Sequence, residues 1–123
     1  MAATIFNVTI DCRNPWQLAQ FWAAVLDCPV DPDNEPDDAE VGVQLDHGGE
    51  LIFQRVPEPK SGKNRQHLCL RPDQPRDAEI ERLLRLGARI LDDRRQPYGS
   101  GWAVMTDPEG NEFCLLRSAA EFQ

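Results

Sequence analysis

A chain of 123 residues, 41% hydrophobic and 28% charged, is long enough to bury the core of one ordinary domain. Its formal charge of −8, with no basic stripe, argues against nucleic acid and anionic membrane surfaces as partners. No apolar run approaches the roughly 18 residues of a bilayer span, and the N-terminal MAATIFNVTIDC has no basic region leading into a long apolar one, so the expectation is a soluble, cytoplasmic protein.

Four cysteines, at 12, 28, 69 and 114, form no CxxC pair, and three of them fall in apolar-looking elements. That distribution suits reduced thiols better than a disulfide framework or a structural zinc knot. Six of the acids crowd into DPDNEPDDAE, residues 31–40, which reads as a solvated loop or as a lip attracting cationic ligands.

In chain order, IFNVTID alternates as a strand, with Val8 and Ile10 on the core face and Asn7, Thr9 and Asp11 on the other. NPWQLAQFWAAVLD follows as a helix. Asn14 is a good N-cap, Pro15 fits the first helical position, and Gln17 completes a capping box. Leu18, Phe21, Trp22, Val25 and Leu26 then mark the stripe that lies on a sheet. After the acidic loop, EVGVQLD and ELIFQRV are two strands joined by a turn at His47-Gly48-Gly49.

The second half repeats the order: QHLCLR is a strand, and QPRDAEIERLLRLG is a helix. Pro75 starts it, Ile80, Leu83 and Leu84 face inward, and Gly87 caps it. ARILDD, GWAVMTD and NEFCLLR complete the set, with DPEG before the last strand predicted as a type I turn. Pro15 and Pro75, Leu26 and Leu86, and Phe53 and Phe113 each stand 60 positions apart, which predicts two superposable modules at a constant spacing, residues 1–60 and 64–123.

NPWQLAQFWAAVLD, LIFQRVPEPKSGKNRQHLCL and GWAVMTDPEGNEFCLL together resemble the vicinal oxygen chelate superfamily, the glyoxalase/bleomycin-resistance proteins, and most of all its glyoxalase-like subgroup. The resemblance implies an α+β fold of two βαβββ modules whose curled mixed sheets form a cup with the helices outside. It also implies a homodimer and a ligand or metal held inside the cup.

Strand parity assigns side chains to faces without that likeness. Asn7, Thr9 and Asp11, with His67, Cys69 and Arg71, point away from the helices, as do Ile52, Gln54 and Val56 and Glu112, Cys114 and Leu116. The 60-residue spacing pairs Asn7 with His67 and Gln54 with Cys114. The resemblance makes these four the positions where metal-dependent relatives hold their ion, with His on first strands and Glu on last ones. Here only His67 matches. Neutral amides contribute no charge to a metal that must activate oxygen, so the expectation is no catalytic metal and no cofactor. A divalent ion held by His67 and Cys114 is the alternative. A zinc set of His67, Cys69 and Cys114 has suitable donors, but two residues along one strand space the Cβ atoms of His67 and Cys69 widely.

The expected function is binding of a small organic molecule in the cup by Asn7, Thr9, Gln54, His67, Cys69, Cys114 and Trp102. Cups lined by a few polar groups among apolar ones are common ligand sites. The alternative is an enzyme. It would be a lyase, isomerase or dioxygenase with altered metal ligands, or a metal-independent catalyst using His67 and Cys114, with Glu112 as a base if it faces inward. The missing carboxylates argue against glyoxalase I activity itself.

Overall fold

A computed structural model describes residues 1–122. The chain forms two compact units, Met1–Lys60 and Ser61–Gln123. Among the described residues no helix is long and apolar enough to cross a membrane.

The first unit contains strand β1 (Asn7–Cys12), helix α1 (Pro15–Leu26) and strands β2 (Glu40–Gln44) and β3 (Glu50–Arg55). Its sheet has the order β1-β3-β2, with β1 parallel and β2 antiparallel to β3. A parallel neighbour needs a crossover connection, and α1 supplies part of it. The helix begins where its cap chemistry dictates: the Asn14 side-chain oxygen accepts the Gln17 N–H at 3.3 Å, and Pro15 occupies the first turn. It ends on Asp27 in the left-handed conformation, φ 51°, a non-glycine cap. Leu18, Phe21, Trp22 and Val25 are buried, and α1 packs on β2 and β3.

That packing leaves β1 partly uncovered, and Val8, expected in the core, is 42% exposed. The reason is topological, because β1 is an edge strand and the helix lies over the other two. Ile5 and Phe6, expected within the strand, precede it and are exposed.

The second unit contains β4 (Leu68–Leu70), α2 (Arg76–Leu86), β5 (Arg89–Asp93), β6 (Ala103–Thr106) and β7 (Glu112–Leu115) in a sheet ordered β4-β7-β6-β5. Pro75 is the N-cap residue of α2, and Gly87 closes it at φ 115°, where a side chain would be strained. One sheet face is sealed along its two central strands: Ala103, Met105, Phe113 and Leu115, with Ile80 and Leu83 of α2, are all 1% exposed or less, while Leu68 and Ile90 on the flanking strands stay partly exposed. The first unit has the same plan with one strand reduced, since the counterpart of β5 is the single bridge Val30↔Val43. The fold is thus α+β, two modules each with a helix and a small mixed sheet.

The constant 60-residue spacing does not survive the structure. In the first hairpin Leu45 donates to and accepts from Gly49 and Gly48; in the second Asp107 makes the same bonds with Asn111 and Gly110. These equivalent turns stand two residues further apart than Pro15 and Pro75 do, so Ile52 corresponds to Cys114, Phe53 to Leu115 and Gln54 to Leu116. The first strands keep the original spacing, because Thr9 pairs with Ile52 as Cys69 pairs with Cys114. The two extra residues lie between Ile90 and Ala103, a segment with a register shift between Ile90 and Asp92. A bulge and a loop absorb such an insertion without moving the paired strands.

The acidic segment is ordered by its own side chains. Asn34 Oδ1 accepts the Gly42 N–H at 2.9 Å, Asp38 Oδ2 accepts from Glu35 N and Asn34 Nδ2, and Asp31 Oδ1 accepts from Asp33 N. Asp31 and Asp38 therefore serve as local turn acceptors, the habitual role of aspartate in irregular backbone.

Candidate functional site

The second unit's other sheet face carries the chemistry. Directly paired residues project to the same side of a sheet, so Cys69, Cys114 and Val104 share a face, as do Glu112 and Thr106. Its central strand, β7, is positioned by the DPEGN turn. Asp107 Oδ1 accepts the N–H groups of Glu109 at 2.9 Å and Asn111 at 3.0 Å, while Asn111 Nδ2 reaches Oδ2 at 2.9 Å. The Gly110 N–H closes the predicted turn on the Asp107 carbonyl at 2.9 Å.

The imidazole of His67 and the sulfurs of Cys69 and Cys114 offer donor atoms that all lie within 4.8 Å of one another. This corrects the expectation that His67 and Cys69 are held too far apart. β4 begins at Leu68, so His67 lies outside the strand and is released from the regular spacing of alternate strand residues. Cys69 is exposed and Cys114 is 8% exposed. Burial pushes the Cys114 thiol up from its ordinary value, and the neighbouring Cys69 thiol, hydrogen-bonded to it, adds to the rise. A buried thiol so placed is a poor nucleophile near neutral pH.

Glu112 shares the face and is buried, but it is engaged. Its carboxylate forms an ion pair with Lys63 and accepts the Asn64 N–H at 3.0 Å, while its own N–H donates to Asn64 Oδ1 at 3.3 Å. Lys63 and Asn64, in the irregular segment before β4, thus clamp the start of β7. Replacing Glu112 with glutamine keeps an acceptor for Asn64 but removes the counter-charge of a cation, so urea denaturation should show a loss of about 1–2 kcal/mol. Lys63→Ala should cost less, because its ammonium is largely solvated.

Trp102 is 42% exposed just before β6, where strand alternation puts it on the side of Val104. Sequence reasoning missed what holds this segment. Arg76, 3% exposed at the start of α2, donates through Nη1 to the carbonyls of Gly99, Ser100 and Gly101 at 3.0, 2.9 and 3.1 Å. Gly101 adopts φ +87°, and a Cβ there would meet the Arg94 carbonyl oxygen at 2.1 Å. An arginine in the first turn of an amphipathic helix reads as surface, and no periodicity marks it.

In the first unit the helix-free face holds Asn7, Thr9, Asp11, Ile52 and Gln54, with Thr9 Oγ1 donating to Asn7 Oδ1 at 3.2 Å. Gln54 pairs with Asp11 rather than taking the place Cys114 has. The residues matching His67, Cys69 and Cys114 are Asn7, Thr9 and Ile52, so among the described residues only the second unit has a soft donor cluster. Arg71 turns to the C-terminal segment, donating to the Arg117 carbonyl at 2.7 Å and stacking on Phe122.

Residues 7–116 match the family model described as a glyoxalase-like domain. The chain belongs to the glyoxalase-like domain family. Three solved structures show how widely this glyoxalase-like fold extends. A glyoxalase/bleomycin resistance protein/dioxygenase family enzyme from Burkholderia phytofirmans is 18% identical with TM-score 0.71, covering 92% of this chain and 97% of that one. The hypothetical protein SA1046 from S. aureus is 16% identical at TM-score 0.72, with 95% of each chain covered. The fosfomycin resistance protein FosX from Listeria monocytogenes, solved with Mn(II) and a dihydroxypropylphosphonic acid, is 15% identical at TM-score 0.73, covering 98% and 94%. At these identities the likeness establishes the fold. No curated protein matches the chain.

Asn7 and Ile52 in the first unit are the counterparts of His67 and Cys114 in the second, and none of the four is a carboxylate. That set does not fit a hard divalent ion, which takes oxygen ligands.

Proposed function

We propose that this glyoxalase-like protein binds a small organic molecule against its helix-free sheet surface, without a hard catalytic metal. One observation carries the reading. The second unit buries the centre of one sheet face, at Met105 and Phe113, yet leaves a soft, partly exposed cluster of His67, Cys69 and Cys114 on the other, flanked by Val104 and Trp102. A few polar groups set among apolar ones are what a small-molecule site requires. Catalysis by Glu112 has little support, since Lys63 and Asn64 already engage its carboxylate, and Cys114 is too buried to be a ready thiolate. The reading takes the protein as cytoplasmic, in keeping with four cysteines outside disulfides, and as a homodimer, in keeping with its open edge strand β1.

The test is a thermal-shift screen of drug-sized organic compounds, run in chelator. Specific binding to the folded state must raise the midpoint. The expected result is at least one compound class whose shift shrinks in Trp102→Ala. A broad library that produces no shift would remove the reading.

A further inference from the structure

We infer that the second unit carries a site for a thiophilic cation of the zinc class, built from His67, Cys69 and Cys114. The inference goes beyond the ligand-binding reading and stands whether or not an organic molecule binds.

Geometry supports it first. Zinc takes sulfur at about 2.3 Å and imidazole nitrogen at about 2.0–2.1 Å in a tetrahedron, which requires ligand atoms roughly 3.5–3.8 Å apart. The three donor atoms already lie within 4.8 Å of one another, so small side-chain rotations close the remaining distance. Two of the donors are fixed by the sheet. Cys69 and Cys114 are register partners across the parallel pair β4 and β7, and β7 lies between β4 and β6. Sites on paired strands hold their geometry better than sites on loops. His67, immediately before β4, supplies the one adjustable ligand.

Chemistry narrows the ion. Two thiolates and a neutral imidazole balance a divalent charge and select zinc over magnesium, calcium or manganese. Glu112 is not needed as a fourth donor, because Lys63 and Asn64 hold its carboxylate. Three protein ligands leave one position for water or for a donor atom of a bound molecule. Binding replaces the thiol protons, so affinity should rise with pH.

The ligand set is local to one module. Its counterparts in the first unit, Asn7, Thr9 and Ile52, include no thiol or imidazole. Cys69, moreover, lies outside the four positions that the family pattern gives to a metal.

The experiment uses the full chain, reduced, stripped with chelator, and titrated first with Co(II) and then with Zn(II). One equivalent of Co(II) should produce a thiolate-to-metal charge-transfer band and tetrahedral visible bands, both abolished by zinc. Cys69→Ser, a conservative change at an exposed position, should keep the native circular dichroism, weaken zinc binding by about tenfold or more and diminish the charge-transfer band. Cys28→Ser should bind like the parent. Co(II) spectra without the thiolate band would overturn the inference. So would undiminished binding in Cys69→Ser. Because the compound screen is run in chelator, failure of either proposal leaves the other standing.

Discussion

Replacing Phe113 with alanine is expected to cost about 3–5 kcal/mol of folding free energy, read from denaturant unfolding. Phe113 is 1% exposed at the centre of β7, with Leu68 and Met105 as register partners on either side. Alanine removes most of an aromatic ring from a close-packed layer, and the neighbours, fixed in paired strands, relax only partly into the space. Phe113→Leu, which keeps most of the apolar volume, should cost about 1–1.5 kcal/mol. If Phe113→Ala lost less than 1 kcal/mol, the sealed face would not be the core described above.

Arg76→Ala should be of comparable size, about 3–5 kcal/mol, for a different reason. The guanidinium is almost wholly buried and joins the first turn of α2 to three successive carbonyls of the Gly99–Gly101 segment, while Nε pairs with Asp77 at 3.0 Å. Its loss leaves those carbonyls without their charged donor, whereas Asp77, mostly exposed, keeps its ion pair with Arg95 at 3.2 Å. Proteolysis within residues 98–102 should rise together with the loss of stability. Arg76→Lys should recover only part, because an ammonium lacks the planar fork that reaches the loop and Asp77 at once. Full recovery by lysine would mean that charge alone, not the forked geometry, holds the segment.

Much of this architecture was legible in the sequence. Leu18, Phe21, Trp22 and Val25 predicted the buried stripe of α1, Asn14 and Pro15 its start, and Gly87 the end of α2. The turn at Asp107 and the division of β7 residues between two faces were equally readable. Other features were not. The 60-residue spacing put Gln54 opposite Cys114, because two residues inserted in an irregular segment leave the helices and first strands in step while shifting the later hairpin. The Lys63 to Glu112 and Arg76 to Gly99–Gly101 contacts join residues distant in the chain and have no periodic signature.

By itself, then, the sequence determined the order of elements, their caps and the side of the sheet on which each strand residue falls. All of these depend on neighbours within a few positions, through the repeat of a helix or strand and the conformational limits of Pro, Gly and Asn. Tertiary structure alone decided that Val8 lies on an open edge, that Glu112 is neutralised, and that His67, Cys69 and Cys114 meet. Those outcomes depend on strand order, on register, and on where a strand begins, which pairing between distant segments sets and one segment cannot encode.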